Sequence, residues 1–362
     1  PAAARAAAQR LGALGVFSRT EFTGLEAGPR WEKGTLAFRV EEPRYNRFEG
    51  AVGVQGAAGL VGLAALELGN LLGTARHATL AWQSRGGGRS DLKVGYAEPF
   101  VLGLPIRLEA NLAQELQDST YTRTRWGARV GHVLGTGDRI ELGLEEELVV
   151  QTRGTAANAA LQNTLFAFER DGRDDFVSPR RGMRWRVTGT GVWKRETLRA
   201  PLPGEPATHR SRAGIADVRT EWHRPVSRSA GLAWELWGAG RFSSDDVLAD
   251  YERIPVGGAS TLRGHDEEES RVDRVALSRL EYRFFPGTVG ERVLLFWDHA
   301  EMLTRVPDPG SAVVRSKRDT GDGVGLGLRL RAGSALIDLD YGVSPGRGVR
   351  DGRIHLRLVS TF

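Results

Sequence analysis

From about Tyr45 to the last residue, apolar and polar side chains alternate one for one in runs of roughly ten residues, and in nearly every run the polar partners include charge. Ile106, Leu108, Ala110 and Leu112 alternate with Arg107, Glu109 and Asn111, and Leu280, Tyr282 and Phe284 with Arg279, Glu281 and Arg283. Successive side chains of a strand point to opposite faces, so each run is a strand with one apolar and one charged face. A soluble sandwich also alternates and buries its apolar faces against each other, so the discriminator is which face carries charge and how many successive strands keep it. A transmembrane β-barrel meets the pattern directly. Its apolar face touches lipid, its polar face lines a wet lumen, and closure satisfies every backbone donor and acceptor.

Gly-, Asp- and Pro-bearing turns divide the segment into about sixteen strands, an even number as single-chain bacterial barrels require. The series starts with 45–53 and 60–69, includes 229–242 and 272–287, and closes with 335–343 and 352–362. The expected fold is therefore all-β, a 16-stranded antiparallel transmembrane barrel over residues 44–362. Trp82, Trp126, Trp185, Trp193, Trp222, Trp234, Trp237 and Trp297 fall in these strands, most with lipid-facing parity, as in an interfacial belt. Residues 1–43 read differently: a helix over Ala2–Leu14, then Val16–Phe22, then a strand over Thr35–Glu41. They form a small unit ahead of the barrel.

Composition narrows the function. The 50 Lys and Arg are dispersed opposite 45 Asp and Glu, so the formal charge of +5 is not gathered into a phosphate-tracking surface, and nucleic acid is not an expected partner. The chain has no Cys, and its seven His show no metal-ligand spacing, so no metal and no cofactor is expected. Gly323, Gly325 and Gly327 imitate part of a dinucleotide fingerprint but lie on one face of a continuing strand, which that motif does not allow. They leave lumenal space for something packed inside. His299 beside Asp298 imitates a catalytic pair, but alternation turns the two to opposite faces, and no enzyme activity is expected.

The longest turn-like region, about 243–271, contains Gly257, Gly258, Ala259, Ser260, Thr261, Leu262, Arg263, Gly264 and His265. It resembles the signature of the outer-membrane-protein-85 superfamily, whose members include BamA, TamA and FhaC. There the sixth extracellular loop carries Val-Arg-Gly-Phe/Tyr after a Gly-Gly pair and folds into the lumen. Leu262 stands in place of the usual Val, and His265 in place of the aromatic. Asn70, Leu71, Leu72 and Gly73 resemble the family's Asn-Leu-x-Gly turn, and Pro179 with Gly182 its Pro-x-x-Gly turn. Phe296, Trp297, Asp298, His299 and Ala300 resemble its Phe-x-Asp-x-Gly strand, and Phe362 its C-terminal assembly signal. Residues 1–43 are similar to the second half of a POTRA domain, a periplasmic module about twice that length.

The resemblance implies a location in the bacterial outer membrane, with the N-terminal segment in the periplasm. It implies a factor that inserts nascent outer-membrane proteins by opening between first and last strands. The partners would be the lipid bilayer, nascent or secreted polypeptides, and accessory lipoproteins or an inner-membrane protein met through POTRA domains. A secretion pore of the two-partner type is the alternative, and a passive porin a third. By motif and parity Arg263 should pair with Asp298, near Phe296. Gly50 and Gly53 leave the first strand few side chains to pack, so the seam to Ile354, Leu356 and Leu358 is the expected gate.

Overall fold

The computed structural model describes residues 19–27, 34–41, 46–55 and 59–361, except the short segments 105, 119, 135–137, 154–155, 176–177, 202–205, 288–289, 309–312, 333–334 and 347. Ala2–Leu14 and Phe362 lie outside the described residues. Two strands precede the barrel, β1 (Arg19–Ala27) and β2 (Gly34–Glu41), and pair as an antiparallel hairpin.

The barrel begins with β3 (Arg47–Gln55), β4 (Gly59–Leu71), β5 (Arg76–Gly86), β6 (Arg89–Glu98), β7 (Ile106–Gln117) and β8 (Tyr121–Leu134). It continues through β9 (Asp138–Gln151), β10 (Ala156–Asp171), β11 (Gly182–Leu198), β12 (Thr208–Pro225) and β13 (Ala230–Ser243). Two short strands, β14 (Ile254–Val256) and β15 (Ser270–Val272), interrupt the series. It resumes with β16 (Arg274–Phe284), β17 (Arg292–Pro307), β18 (Val314–Ala332), β19 (Ala335–Val343) and β20 (Arg353–Thr361). Sixteen strands, β3–β13 and β16–β20, pair antiparallel with their chain neighbours, and β20 returns to β3 to close the barrel.

The expected strands are all present, several longer than the alternation alone indicated: the strand expected at 161–170 runs from Ala156 to Asp171. The extra residues lie toward the rims, where side chains leave the two-face pattern but the ladder persists. Within Ala51–Leu72, the one stretch with helix-like hydropathy, Ala51–Gln55 belong to β3 and Gly59–Leu71 form β4, because the glycines disfavour a helix and the neighbouring strands supply backbone partners. Among the described residues no helix is long and apolar enough to cross a membrane.

The outer wall is apolar. Leu142, Leu144, Leu295 and Leu326 are all more than half exposed, far more large apolar surface than a monomer in water sustains. Trp82, Trp126, Trp193, Trp222, Trp234 and Trp297 are likewise exposed on it, whereas Trp237 turns inward and donates its indole N–H to Asp217 at 2.8 Å. Charge sits inside: along the lumenal wall Arg123 bonds Glu147 on the adjacent strand, and Arg186 bonds Glu141 two strands away. Two turns at the rim opposite β14–β15 have the backbone their sequences require. Asn70, Leu72 and Gly73 have positive φ, with the Asn70 side-chain oxygen accepting the Ala75 N–H at 2.8 Å. Gly182 has φ +109°, and a Cβ there would lie 2.2 Å from the Gly172 carbonyl oxygen.

Candidate functional site

Between β13 and β16 the chain does not stay at the rim. It turns through Asp250–Glu252 into a hairpin of β14 and β15, whose tip, Gly257–Glu269, reaches the lumenal face of β16–β19. Sequence reasoning treated this region as one long loop; its inner hairpin was missed because three-residue strands carry no measurable period. The hairpin packs Ile254, Val256, Leu262 and Val272 against Val275, Leu277, Ala300 and Met302 of the wall, one small apolar core inside the lumen, and Tyr251 joins a second with Tyr121, Val149, Leu161 and Val192.

Arg263 lies at the centre, 1% exposed. Its Nε and Nη2 donate to the two carboxylate oxygens of Asp298 at 2.8 and 2.7 Å, and its backbone N–H to the same carboxylate at 3.1 Å. Nη1 donates to Glu281 at 2.8 Å, and the guanidinium carbon lies 3.7 Å from the centre of the Phe296 ring. Burial disfavours the charge, but the Asp298 hydrogen bonds and the Glu281 charge outweigh it and hold Arg263 protonated above the usual arginine range. The planar fork matches a carboxylate at two points, which an ammonium cannot do. Glu281 was not identified from the sequence. Its signal was available, since it shares the lumenal face of β16 and lies in register with Phe296.

The wall is shaped to take the tip. On the lumenal face of β18, a Cβ at Gly323 would lie 1.8 Å from the Arg263 carbonyl oxygen, and one at Gly321 2.6 Å from the Leu262 side chain. Gly264 has φ +86°, and a Cβ there would lie 2.8 Å from the Val343 carbonyl carbon. Of the expected lumenal row, Gly323 thus contacts the returning segment, whereas Gly325 lies against the Phe296 ring and Tyr341, and Gly327 against Leu294 and Asp340 of the wall. His265, standing where an aromatic was expected, reaches the wall by a polar contact instead, Nε2 to the Asp322 carbonyl oxygen at 3.1 Å, while Nδ1 meets Glu269 of its own segment at 3.2 Å.

The same segment is tied to the rest of the barrel. Tyr251 donates its hydroxyl to Glu196 at 2.9 Å and accepts from Arg123 through its carbonyl, also at 2.9 Å, while Lys194 pairs with Glu252 at 2.9 Å. Arg85 of β5 pairs with Glu268 at 2.7 Å, and Arg353 of β20 donates to Asp266 at 2.6 Å. Beside the tip a cavity of about 1340 Å³ remains, lined by Arg279, Arg283, Arg292, Glu281, Asp338 and Asp340 among others.

The seam between β20 and β3 is the short one. It pairs Leu358 with Gly50, Val359 with Glu49, Ser360 with Phe48 and Thr361 with Arg47. The neighbouring β19–β20 seam runs from Ala335 and Ser360 to Gly342 and Arg353 without a break. Of the expected gate residues, Gly50 and Leu358 are brought together. Gly53, Ile354 and Leu356 lie in the halves of β3 and β20 that share no register pairs with each other. Asp298 and His299 face opposite sides of β17: the first is fully buried, and the second bonds Asp322 on the outer wall at 2.9 Å. Among the described residues no cluster of side chains could hold a metal ion.

Comparison with known proteins places this arrangement. The profile described as "Omp85 superfamily domain" matches residues 70–362. The chain is similar in fold to BamA from Haemophilus ducreyi lacking POTRA domains 1–3 (TM-score 0.60, 15% identity, 98% of this chain and 77% of that one). It is similar as well to CdiB from Acinetobacter baumannii (TM-score 0.60, 13% identity, 97% and 67%) and to CdiB from Escherichia coli (TM-score 0.63, 14% identity, 97% and 69%). A search of curated protein sequences found no match.

Proposed function

The chain belongs to the Omp85 superfamily, whose barrels reside in the bacterial outer membrane and serve polypeptide assembly or transport, and from that premise we propose that it inserts β-barrel proteins into the outer membrane. Insertion proceeds through a lateral gate between β3 and β20. The observation that carries this reading is the four-pair seam, beside which Ala51–Gln55 and Arg353–Arg357 are not paired with each other. A strand edge with free N–H and C=O groups is a template for another strand, and an incoming client strand finds its backbone partners there. The lumen is a poor route by comparison, since the β14–β15 segment crosses it, bonded to Arg123 of β8 and to Asp298 of β17, seven strands away around the sixteen.

In this reading β1–β2 belong to the end of a POTRA module over residues 1–43, which faces the periplasm and receives clients or accessory proteins. The rim bearing the β13–β16 segment faces the cell exterior. Phe362 is the residue that barrel-assembly machinery reads, so its deletion lowers the yield of folded barrel.

The absence of native Cys makes the test clean. Glu49 and Val359, a register pair across the seam, are both changed to Cys and oxidised. Client insertion into vesicles should stop when the pair is crosslinked and return on reduction. Full activity with a complete crosslink would reject lateral gating and favour passage of polypeptide through the lumen.

A further inference from the structure

The outer wall carries a cluster of charge that the lumenal site does not use. On β11 and β12, Trp193 is in register with Arg212, and Arg195 with Arg210. All four are exposed, while the intervening Lys194 and Ser211 are buried on the lumenal side, so the three guanidinium groups share the outside of the barrel. Like charges directly opposite in a ladder repel, and the diagonal Arg195–Arg212 spacing is within reach of long side chains. Among the described residues no carboxylate answers them. Glu196, and Asp245 beside the Ser244 whose N–H bonds the Arg212 carbonyl, point inward and are engaged by Tyr251, Lys194 and His209, and Asp217 accepts the Trp237 indole on the lumenal side.

Away from the rim, the same outer face is hollow. Gly191 is in register with Gly214, and Gly189 with Ala216, which is in turn in register with Gly240. A Cβ at Gly189 or Gly214 would meet nothing within 4 Å. Two aromatic rings border the hollow: the Trp193 ring bends over Gly191, 3.3 Å from where a Cβ would sit, and the Phe242 ring covers Gly240 at 3.2 Å.

We propose that Arg195, Arg210 and Arg212 bind the phosphate of an anionic lipid in the leaflet at this rim, with an acyl chain of that lipid lying in the hollow below Trp193. The proposal rests on the membrane reading of the barrel. Two arginines at ladder spacing offer a phosphate paired N–H donors, and an aromatic at the headgroup level marks where polar and apolar parts of a lipid divide. The phosphate relieves the repulsion that the ladder imposes. The depression gives a flexible chain surface contact that a wall of Leu side chains would not.

The test uses the whole protein, delipidated in detergent, with native mass spectrometry of bound lipid A, phosphatidylethanolamine of matched chains, and inorganic phosphate as competitor. Lipid A should be preferred. Each single Arg→Gln change should weaken it roughly fivefold, and R195Q/R210Q/R212Q about a hundredfold, from the usual attraction of an anionic surface for each arginine. Gly189→Leu, which adds a side chain into open space, should weaken lipid A while leaving the barrel heat-modifiable. An unchanged preference for lipid A in the triple variant would overturn the site. Loss of lipid A to inorganic phosphate at equal concentration, with Gly189→Leu silent, would overturn the lipid in favour of a simple anion site. If the protein bound neither lipid and stayed monodisperse without detergent, the membrane reading would fall, and this site with it.

Discussion

Arg263 and Asp298, 35 positions apart in sequence, meet as a two-point guanidinium–carboxylate pair, with the arginine 1% exposed and the aspartate 0%. One comes from the tip of the returning segment and the other from β17, so the pair reports whether that segment is docked.

Removing one partner of a buried ion pair leaves an uncompensated charge, at a cost of about 3–5 kcal/mol. Arg263→Ala is expected to lower the temperature at which the barrel loses its compact gel mobility. Arg263→Lys should recover only part of the loss, because an ammonium cannot engage both Asp298 oxygens and Glu281 together. The R263A/D298N double variant should be less destabilised than the two singles added. Strict additivity would show that the pair is not coupled.

Gly323 offers a test of fit without any change of charge. An added methyl group would collide with the Arg263 backbone oxygen, so Gly323→Ala should displace the tip. Overpacking of about 1–3 kcal/mol corresponds to a roughly fivefold to hundredfold larger undocked population. Protease nicking within Gly257–Glu269 should rise accordingly. Gly238→Ala, where a Cβ meets nothing within 4 Å, is the control and should leave nicking unchanged.

Conductance reads the same segment from the lumen. The intact protein in planar bilayers should give a small and mostly closed conductance, because the β14–β15 hairpin crosses the interior. Deleting 257–269 should produce steps at least several times larger, as expected when a constriction is removed from a water-filled barrel. A large steady conductance in the intact protein would contradict a docked hairpin.

Asp245, just beyond the end of β13, gives the docked segment an acid limit. Burial would raise its pKa, but hydrogen bonds from His209 and Lys194 outweigh this and bring it down to about 2. A carboxylate depressed in the folded state stabilises that state above its unfolded pKa and loses the contribution as pH falls through the folded value. Pepsin nicking near 244–252 should therefore be flat down to about pH 4 and rise between about pH 4 and 2. Asp245→Asn should already be more susceptible at pH 4 and should change less over that window.

Strand number, order and facing were legible because a lipid-exposed strand must alternate: every outward residue meets hydrocarbon and every inward one meets water or another polar group. The pairing of Arg263 with Asp298 was legible for a related reason. Parity put Asp298 inside, and the resemblance put Arg263 on a segment that returns to the lumen. Trp237 obeys the same rule: three positions from the outward Trp234 it has the opposite parity, and its indole finds Asp217 on the inner face.

What the chain order could not convey is which distant groups share a place. Glu281 joins Arg263 only because β16 and β17 lie side by side at one register, and Asp266 meets Arg353 only because the hairpin tip reaches β20. The short β20–β3 seam is likewise a property of closure. Glycines weaken the first strand in any sequence reading, but the number of pairs that survive depends on how two ends more than 300 residues apart approach after fourteen other strands have set the circumference. Local alternation determined the wall, because it acts residue by residue. Docking and the seam were decided in three dimensions, because each depends on contacts whose partners come together only once the barrel has closed.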